Sequence, residues 1–293
     1  MTERTIAFAG AALDRADHIR SDADRLAGLM DWRARLLKLD GLDPVITPEG
    51  GLEWGTLADA SPDSDLVFLG LLDGKGCFAE VSGAASHGAG PPSPRTWSAI
   101  ATLGHSDIAT YGTARSLVDW HARHGFCARC GHETKLAKGG WQRSCTNVTC
   151  RAEHFPRVDP VTIMLVEHDG QLLLGRQPRW PERRFSALAG FVEPGESIEE
   201  AVAREVMEES GVVARDVQYV ASQPWPFPSS LMIACHAMAD SADLTIDYTE
   251  LETARWFTRD EVLAAMQERD GAPFIAPPPH AVAYHLLSWW LSR

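Results

Sequence analysis

Nowhere in its 293 residues does the sequence present the roughly 20 consecutive apolar residues that a membrane-spanning helix requires. No membrane partner is expected. The opening "MTERTIAFAGAALDRADHIR" sets charges on both sides of a short apolar patch and lacks a secretory signal core, so a cytoplasmic location is expected. Positive charge is scarce: 27 Lys and Arg stand against 40 Asp and Glu, a formal net charge of -13. That balance weighs against broad nonspecific nucleic-acid binding, which needs cations against phosphates. A small anionic substrate stays open, provided metal ions neutralise its site. Internal repeats and low-complexity tracts are missing too, which removes solenoids and disordered arrays.

Cysteine is sparse, with six in all, but four of them are clustered. Cys127 and Cys130 form "CARC", and Cys145 and Cys150 bracket "CTNVTC". Two short cysteine loops brought together by a hairpin supply the four soft tetrahedral ligands that zinc takes. Gly131 suits the tight turn around a bound sulfur, and a full shell of four thiolates marks a structural rather than a catalytic metal. Cys77 and Cys235 sit alone in apolar surroundings and read as reduced, buried hydrophobes.

What remains is an ordinary globular composition, 45% hydrophobic and 23% charged, long enough for two or more units. Residues 14–38 read as a polar, acidic helical stretch, "DLVFLGLL" as a strand, and "VSGAASHGAGPPSPR" as a loop excursion. Leu117, Trp120 and His121 have helical spacing ahead of the cysteines. "VTIMLVEH" and "QLLLGR" are apolar runs joined by Asp169-Gly170, a hairpin signal. Later runs "DVQYVASQPWPF" and "LMIACHAMA" read as strands, and "AVAYHLLSWWLSR" as an aromatic helix. Boundaries are expected at 1–122, 123–156 and 157–293.

The segment "GFVEPGESIEEAVAREVMEESGVV" holds seven glutamates and no lysine. Ser197 and Glu200 have capping-box spacing, and Gly211 is placed to end the helix they begin. At 100° per residue, Ala201 and Val202 form an inward stripe with Ile198, and Glu205, Glu208 and Glu209 fall within its margins. Glu199 and Glu200 fall outside it, as solvated charges near the helix N-terminus. Carboxylates turned inward cost heavily in repulsion and desolvation unless cations sit among them. Hard oxygen ligands at such spacing suit magnesium or manganese.

Gly190, then Glu196 after five residues, then "REVMEESGV" after seven more, resembles the Nudix box at every defining position. The resemblance implies a Nudix hydrolase, an α+β fold of α/β/α sandwich form. Glu205, Glu208 and Glu209 would bind Mg2+ or Mn2+ and serve catalysis, with Glu209 as the base that activates water. Arg204 would orient a carboxylate, and Glu196 would brace the loop, with Gly190 and Gly211 structural. "SQPWPFPSSLM", the cysteine module and "FPR" at 155–157 together look like the NADH pyrophosphatase family of this superfamily, also described as NAD-cap RNA hydrolases. That likeness covers residues 115–293. It implies an N-terminal α/β domain of the same family, a zinc-ribbon insert and a homodimer.

By the same resemblance, Phe155, Phe191, Gln223, Trp225, Ser230, Met232 and Ala283 would line the nucleotide pocket, and Glu250 would add a metal ligand. Trp225 and Phe227, stiffened by prolines, suit an aromatic platform. Two departures stand out. Phe155 replaces the family's usual tyrosine, and Ser229 replaces its usual glutamine. The reaction implied is hydrolysis of the pyrophosphate of NAD(H) to AMP and nicotinamide mononucleotide, and removal of NAD caps from RNA. Arg176, Arg179, Arg183 and Arg184 read either as a basic lip for RNA or as a solvated face. ADP-ribose or another nucleoside diphosphate as substrate, and a non-catalytic sensor, are the competing readings.

Overall fold

The computed structural model describes residues 6–81 and 92–293. The expected loop excursion falls mainly on 82–91, outside the described residues. The chain divides into two compact units. The first holds Phe8–Val158 and Trp225–Ser229; the second holds Asp159–Pro224 and Ser230–Arg293, together with Ile6 and Ala7.

In the first unit, helices α1 (Asp17–Arg20) and α2 (Ala23–Gly28) precede β1 (Arg35–Leu37), β2 (Leu39–Asp40), β3 (Asp43–Pro44), β4 (Trp54–Gly55), β5 (Asp65–Leu72) and β6 (Lys75–Val81). A four-stranded sheet runs β4-β1-β6-β5, with Ile19, Leu36, Phe68 and Phe78 in its core. Residues 14–38 are therefore not one helix. The Asp22 carboxylate accepts from the Arg25 N–H and starts a new helix at Ala23. Beyond it, β1 pairs parallel to β6, a partner distant in sequence that local periodicity does not register.

Helices α3 (Pro94–Thr102) and α4 (His105–Arg123) follow. The inward face of α4 buries Tyr111, Leu117, Val118 and Trp120. His121 is buried as well; its Nε2 lies 2.7 Å from the Gly140 carbonyl and its Nδ1 2.9 Å from an Arg143 guanidinium nitrogen. The guanidinium can only donate, so Nδ1 accepts and the proton resides on Nε2. Desolvation by burial, with Arg143 adding to it, lowers the His121 pKa to about 4. Neutral His121 is the folded form, so its stabilisation is complete above the ordinary value of 6.5 and is lost as pH falls toward 4. A fall of that size corresponds to about 3 kcal/mol. Denaturant titrations of His121→Gln at pH 7 and pH 4.5 are expected to show a smaller acid loss than the parent. An equal loss in both would remove His121 as the cause.

The cysteine module is a three-stranded antiparallel sheet of β7 (Thr134–Ala137), β8 (Gln142–Cys145) and β9 (Glu153–His154). Trp141, in the β7–β8 connection, donates its indole N–H to the Phe68 carbonyl at 2.8 Å.

The second unit is a mixed sheet between helices. Strands β10 (Asp159–His168), β11 (Gln171–Arg176) and β12 (Leu188–Phe191) lead to α5 (Ile198–Ser210). Then come β13 (Ala214–Trp225), β14 (Ser230–Ala239), β15 (Thr253–Thr258), α6 (Arg259–Met266) and α7 (Val282–Leu291). The sheet order is β13-β14-β10-β11-β15, with β12 on β10. His168 pairs with Gln171 across the expected two-residue turn, where Asp169 and Gly170 both have positive φ.

Alternation along the strands separates two cores. Met164, Val166, Ile233, Cys235 and Ala237 pack with Val202 and Val206 of α5. Ile163, Leu165, Leu172 and Leu174 pack with Val262 of α6 and Leu286, Leu287 and Trp290 of α7. The result is the α/β/α sandwich that the resemblance implied.

Candidate functional site

Helix α5 starts where the capping box placed it. Ser197 Oγ accepts from the Glu200 N–H, and the Glu200 carboxylate accepts from the Ser197 N–H at 2.7 Å. Gly211 ends it in the left-handed region, φ 72, and a Cβ there would press on Thr245. The chain after β14 returns across that end: the Thr245 N–H donates to the Ser210 carbonyl and the Asp247 N–H to that of Glu209. Asp247 also accepts from the Thr249 N–H and hydroxyl, a turn that carries the chain to Glu250.

Glu205 and Glu209 point inward and are buried; Glu209 is only 5% exposed. Glu208 is exposed, contrary to an inward stripe of three. Ten residues on from Ile198 it lies about 280° round the axis, at the stripe's margin, where Arg204 holds it at 2.9 Å. That arginine is the one cation within the box. Its guanidinium also donates to Glu196, to Glu205 Oε1 at 2.9 Å and to the Phe191 carbonyl at 2.9 Å, fastening the 191–196 loop to the helix. Hydrogen bonding from Arg204 lowers the Glu196 pKa to about 2.

One guanidinium cannot balance the acids around it. Glu209 Oε2 is buried with no hydrogen-bond partner among the described residues. Burial first, then the charges of Glu205, Glu250 and Glu208, raise its pKa to about 8. Burial likewise raises that of Glu205. The orphaned oxygen of a buried carboxylate, in the field of three other glutamates, suits a divalent cation, while among the described residues only the four cysteines already lie close enough together to enclose one.

Gly190 shares this corner. A Cβ on it would coincide with the Glu205 carboxylate, so only glycine leaves room for that side chain over β12. Gly190→Ala is expected to lower kcat/KM by about 10²-fold by displacing Glu205, given what a misplacement of about 1 Å costs. Far-ultraviolet circular dichroism should be unchanged. Full activity in this variant would mean that the close approach is not needed.

The other expected site residues fall in both units. Within the first unit Phe155 is exposed, and Trp225 and Phe227 meet edge-on at 5.2 Å. Both also pack against Phe8 and Trp97, so the two half-buried rings are part of an aromatic cluster. Arg115 of α4 secures this segment by donating to the Pro226 carbonyl at 3.0 Å. Ser229 is buried, and its hydroxyl has no hydrogen-bond partner among the described residues.

Within the second unit Phe191 is exposed, while Ser230 and Met232 are half-buried on β14. Ala283 is part of the α7 core, and Gln223 is 0% exposed. The Gln223 amide donates to the carbonyls of Ala7 and His280, and its oxygen accepts from the Val282 N–H. Gln223 is a clamp between chain segments, and its donors are occupied. The basic-lip reading also changes: Arg176 is buried and ion-paired with Glu252, and Arg183 donates to the Ala272 carbonyl.

Sequence reasoning missed the Glu167 carboxylate, which accepts from His236 Nε2 and the Trp290 indole, each at 2.8 Å. No local spacing signals a network whose members lie on β10, β14 and α7.

In the cysteine module the sulfurs of Cys127, Cys130, Cys145 and Cys150 lie within 4.8 Å of one another. The Cys127–Cys150 and Cys130–Cys145 separations are 3.9 and 3.4 Å. Zinc–sulfur bonds of about 2.3 Å at tetrahedral angles require sulfurs about 3.8 Å apart, so the cluster has the dimensions of a closed zinc site. His154 Nε2, 3.3 Å from Cys127 Sγ, supports the sulfur from outside that shell.

Comparison with known proteins agrees with both halves of this picture. Residues 156–276 match the NUDIX domain, and residues 122–155 match the NADH pyrophosphatase zinc ribbon domain. The chain belongs to the Nudix hydrolase family, among the members that carry this ribbon. More narrowly, it is 42% identical to the NAD-capped RNA hydrolase NudC of Mycobacterium bovis over 268 residues, 88% of this chain and 84% of that protein. It is 41% identical to the Mycobacterium tuberculosis NudC over the same shares. The human NAD-capped RNA hydrolase NUDT12 is 47% identical over 209 residues, 69% of this chain. The match spans only 44% of that human protein's length.

Proposed function

We propose that this chain hydrolyses the pyrophosphate bond of NAD(H), yielding AMP and nicotinamide mononucleotide, and removes NAD caps from RNA 5′ ends. The observation that carries the reading is Glu209, a buried carboxylate with a partnerless oxygen among other acids, on a helix whose box motif is complete. Its relatives' names supply the substrate class.

Glu205, Glu209 and Glu250, with Glu208 at the rim, would hold Mg2+ or Mn2+. Bound there, the metal would neutralise pyrophosphate oxygens and make a bound water more acidic. The chain's own part begins with Arg204, which keeps Glu205, Glu208 and the 191–196 loop in register. Glu209 Oε2 is the atom proposed to take the proton of the attacking water. Exposed Phe191 would stack on a substrate ring. The cysteine site would hold structural Zn2+.

A cytoplasmic homodimer completes the reading. Ile6, Leu286 and Trp289 border an apolar hollow of about 240 Å3 beside α7, a surface suited to a second copy. Sedimentation should give twice the chain mass.

Incubating the protein with NADH, NAD, ADP-ribose and NAD-capped RNA in Mg2+ or Mn2+, with chromatography of the products, tests the activity. AMP with the nicotinamide mononucleotide is expected from the dinucleotides. Much faster turnover of ADP-ribose than of either dinucleotide would favour the other Nudix reading.

A further inference from the structure

The negative charge of this protein is not evenly spread. Residues 122–158 hold seven Arg and Lys against two Glu, a net of +5, which leaves -18 on the rest of the chain. Four thiolates and one zinc ion would still leave this segment positive. Segregation of that kind marks a local electrostatic surface in an otherwise acidic molecule.

The basic side chains are also available. Arg129, Lys135 and Arg151 are exposed, and none of them enters an ion pair among the described residues. Arg204, by contrast, is fully engaged by carboxylates.

Apolar groups accompany them at the metal end of the module. Phe126, next to Cys127, is 68% exposed, and Val148, between Cys145 and Cys150, is 74% exposed. The four sulfurs lie within 4.8 Å of one another, which brings the loop carrying Phe126 and Arg129 to the loop carrying Val148 and Arg151. Arg151 donates from Nε to the Val148 carbonyl at 2.8 Å, which fixes the second loop. An aromatic ring set among exposed cations is the chemistry that binds single-stranded nucleic acid, by stacking on a base while the cations follow phosphates.

We propose that the metal end of the zinc ribbon, carrying Phe126, Arg129, Val148 and Arg151, binds the single-stranded body of capped RNA. The proposal rests on capped RNA being a substrate and names the surface that holds the RNA beyond its cap. Free dinucleotide, which has no RNA body, does not use this surface.

The test compares the parent with Phe126→Ala/Arg129→Glu and, separately, Val148→Glu, each checked for its zinc content. Turnover of NADH and of NAD-capped RNA is measured alongside binding of an uncapped single-stranded RNA of the same sequence at several salt concentrations. For the double variant, KM for capped RNA should rise by about tenfold or more, as removal of one stacking ring and a charge reversal imply. The slope of log affinity against log salt should fall by about 0.7 for each phosphate no longer neutralised. NADH kinetics should not change.

Unaltered RNA binding and unaltered capped-RNA KM in zinc-replete variants would overturn the proposal. So would a change in sedimentation mass alone, which would make the patch an interface with a second copy. If the double variant loses zinc, Val148→Glu carries the same readouts. Should the parent bind RNA through this patch yet leave NAD caps intact, the ribbon surface stands and the catalytic reading fails.

Discussion

Glu209→Gln is expected to reduce turnover by on the order of 10³-fold while raising the melting temperature of protein stripped of divalent metal. Both effects come from one atom. In the proposed reaction Glu209 Oε2 receives a proton, and a carboxamide cannot take that part. In the metal-free fold the same oxygen is buried without a partner, and its pKa stands at about 8. A carboxyl raised in this way stabilises the fold below its ordinary value of 4.5, and that stabilisation drains away as pH rises toward 8. The metal-free parent should therefore melt at progressively lower temperature from pH 5 to pH 8. Glu209→Gln should show little of that slope, because nothing ionises at the position. Calorimetry of both proteins in chelator, with NADH hydrolysis in excess Mg2+, reads the two arms. A variant that is both active and destabilised would end the case for Glu209 as base and metal ligand.

Zinc removal should have a comparably large effect on the other unit. Structural zinc supplies on the order of 10 kcal/mol of folding free energy in small modules of this kind. The ribbon has few alternatives: its three strands are short, and its buried side chains include two of the ligands themselves. Cys130→Ser, or a strong zinc chelator, is expected to release the amides of residues 134–145 to rapid hydrogen exchange. The amides of α5 should keep their protection, since their core is made within the other unit. Continued protection of 134–145 without zinc would show that β-pairing alone holds the ribbon.

Several of these features were legible before any coordinates. The capping box at Ser197, the left-handed Gly211, the Asp169-Gly170 hairpin and the paired cysteine loops are local devices, each specified by a few neighbouring residues. Parts that depend on distant partners were not. Arg35–Leu37 lies in a stretch with helical polarity and becomes a strand because β6 lies alongside. Trp225 and Phe227 read as a platform, and their packing partners Phe8 and Trp97 lie far away in the sequence. Glu208 was misjudged by angle alone, since a position at the edge of a helical stripe is decided by its neighbour, here Arg204.

The Gln223 clamp bears on any attempt to trim the molecule. A fragment begun at β10 would comprise the whole sandwich and its acidic helix, but it would lack Ala7, whose carbonyl takes one of the two amide hydrogens. That donor would then sit inside the sandwich with nothing to bond, a penalty of roughly 1–3 kcal/mol. A minimal catalytic fragment accordingly needs its first few residues grafted back, since an apolar side chain at position 223 would strand the Val282 N–H and the His280 carbonyl as well.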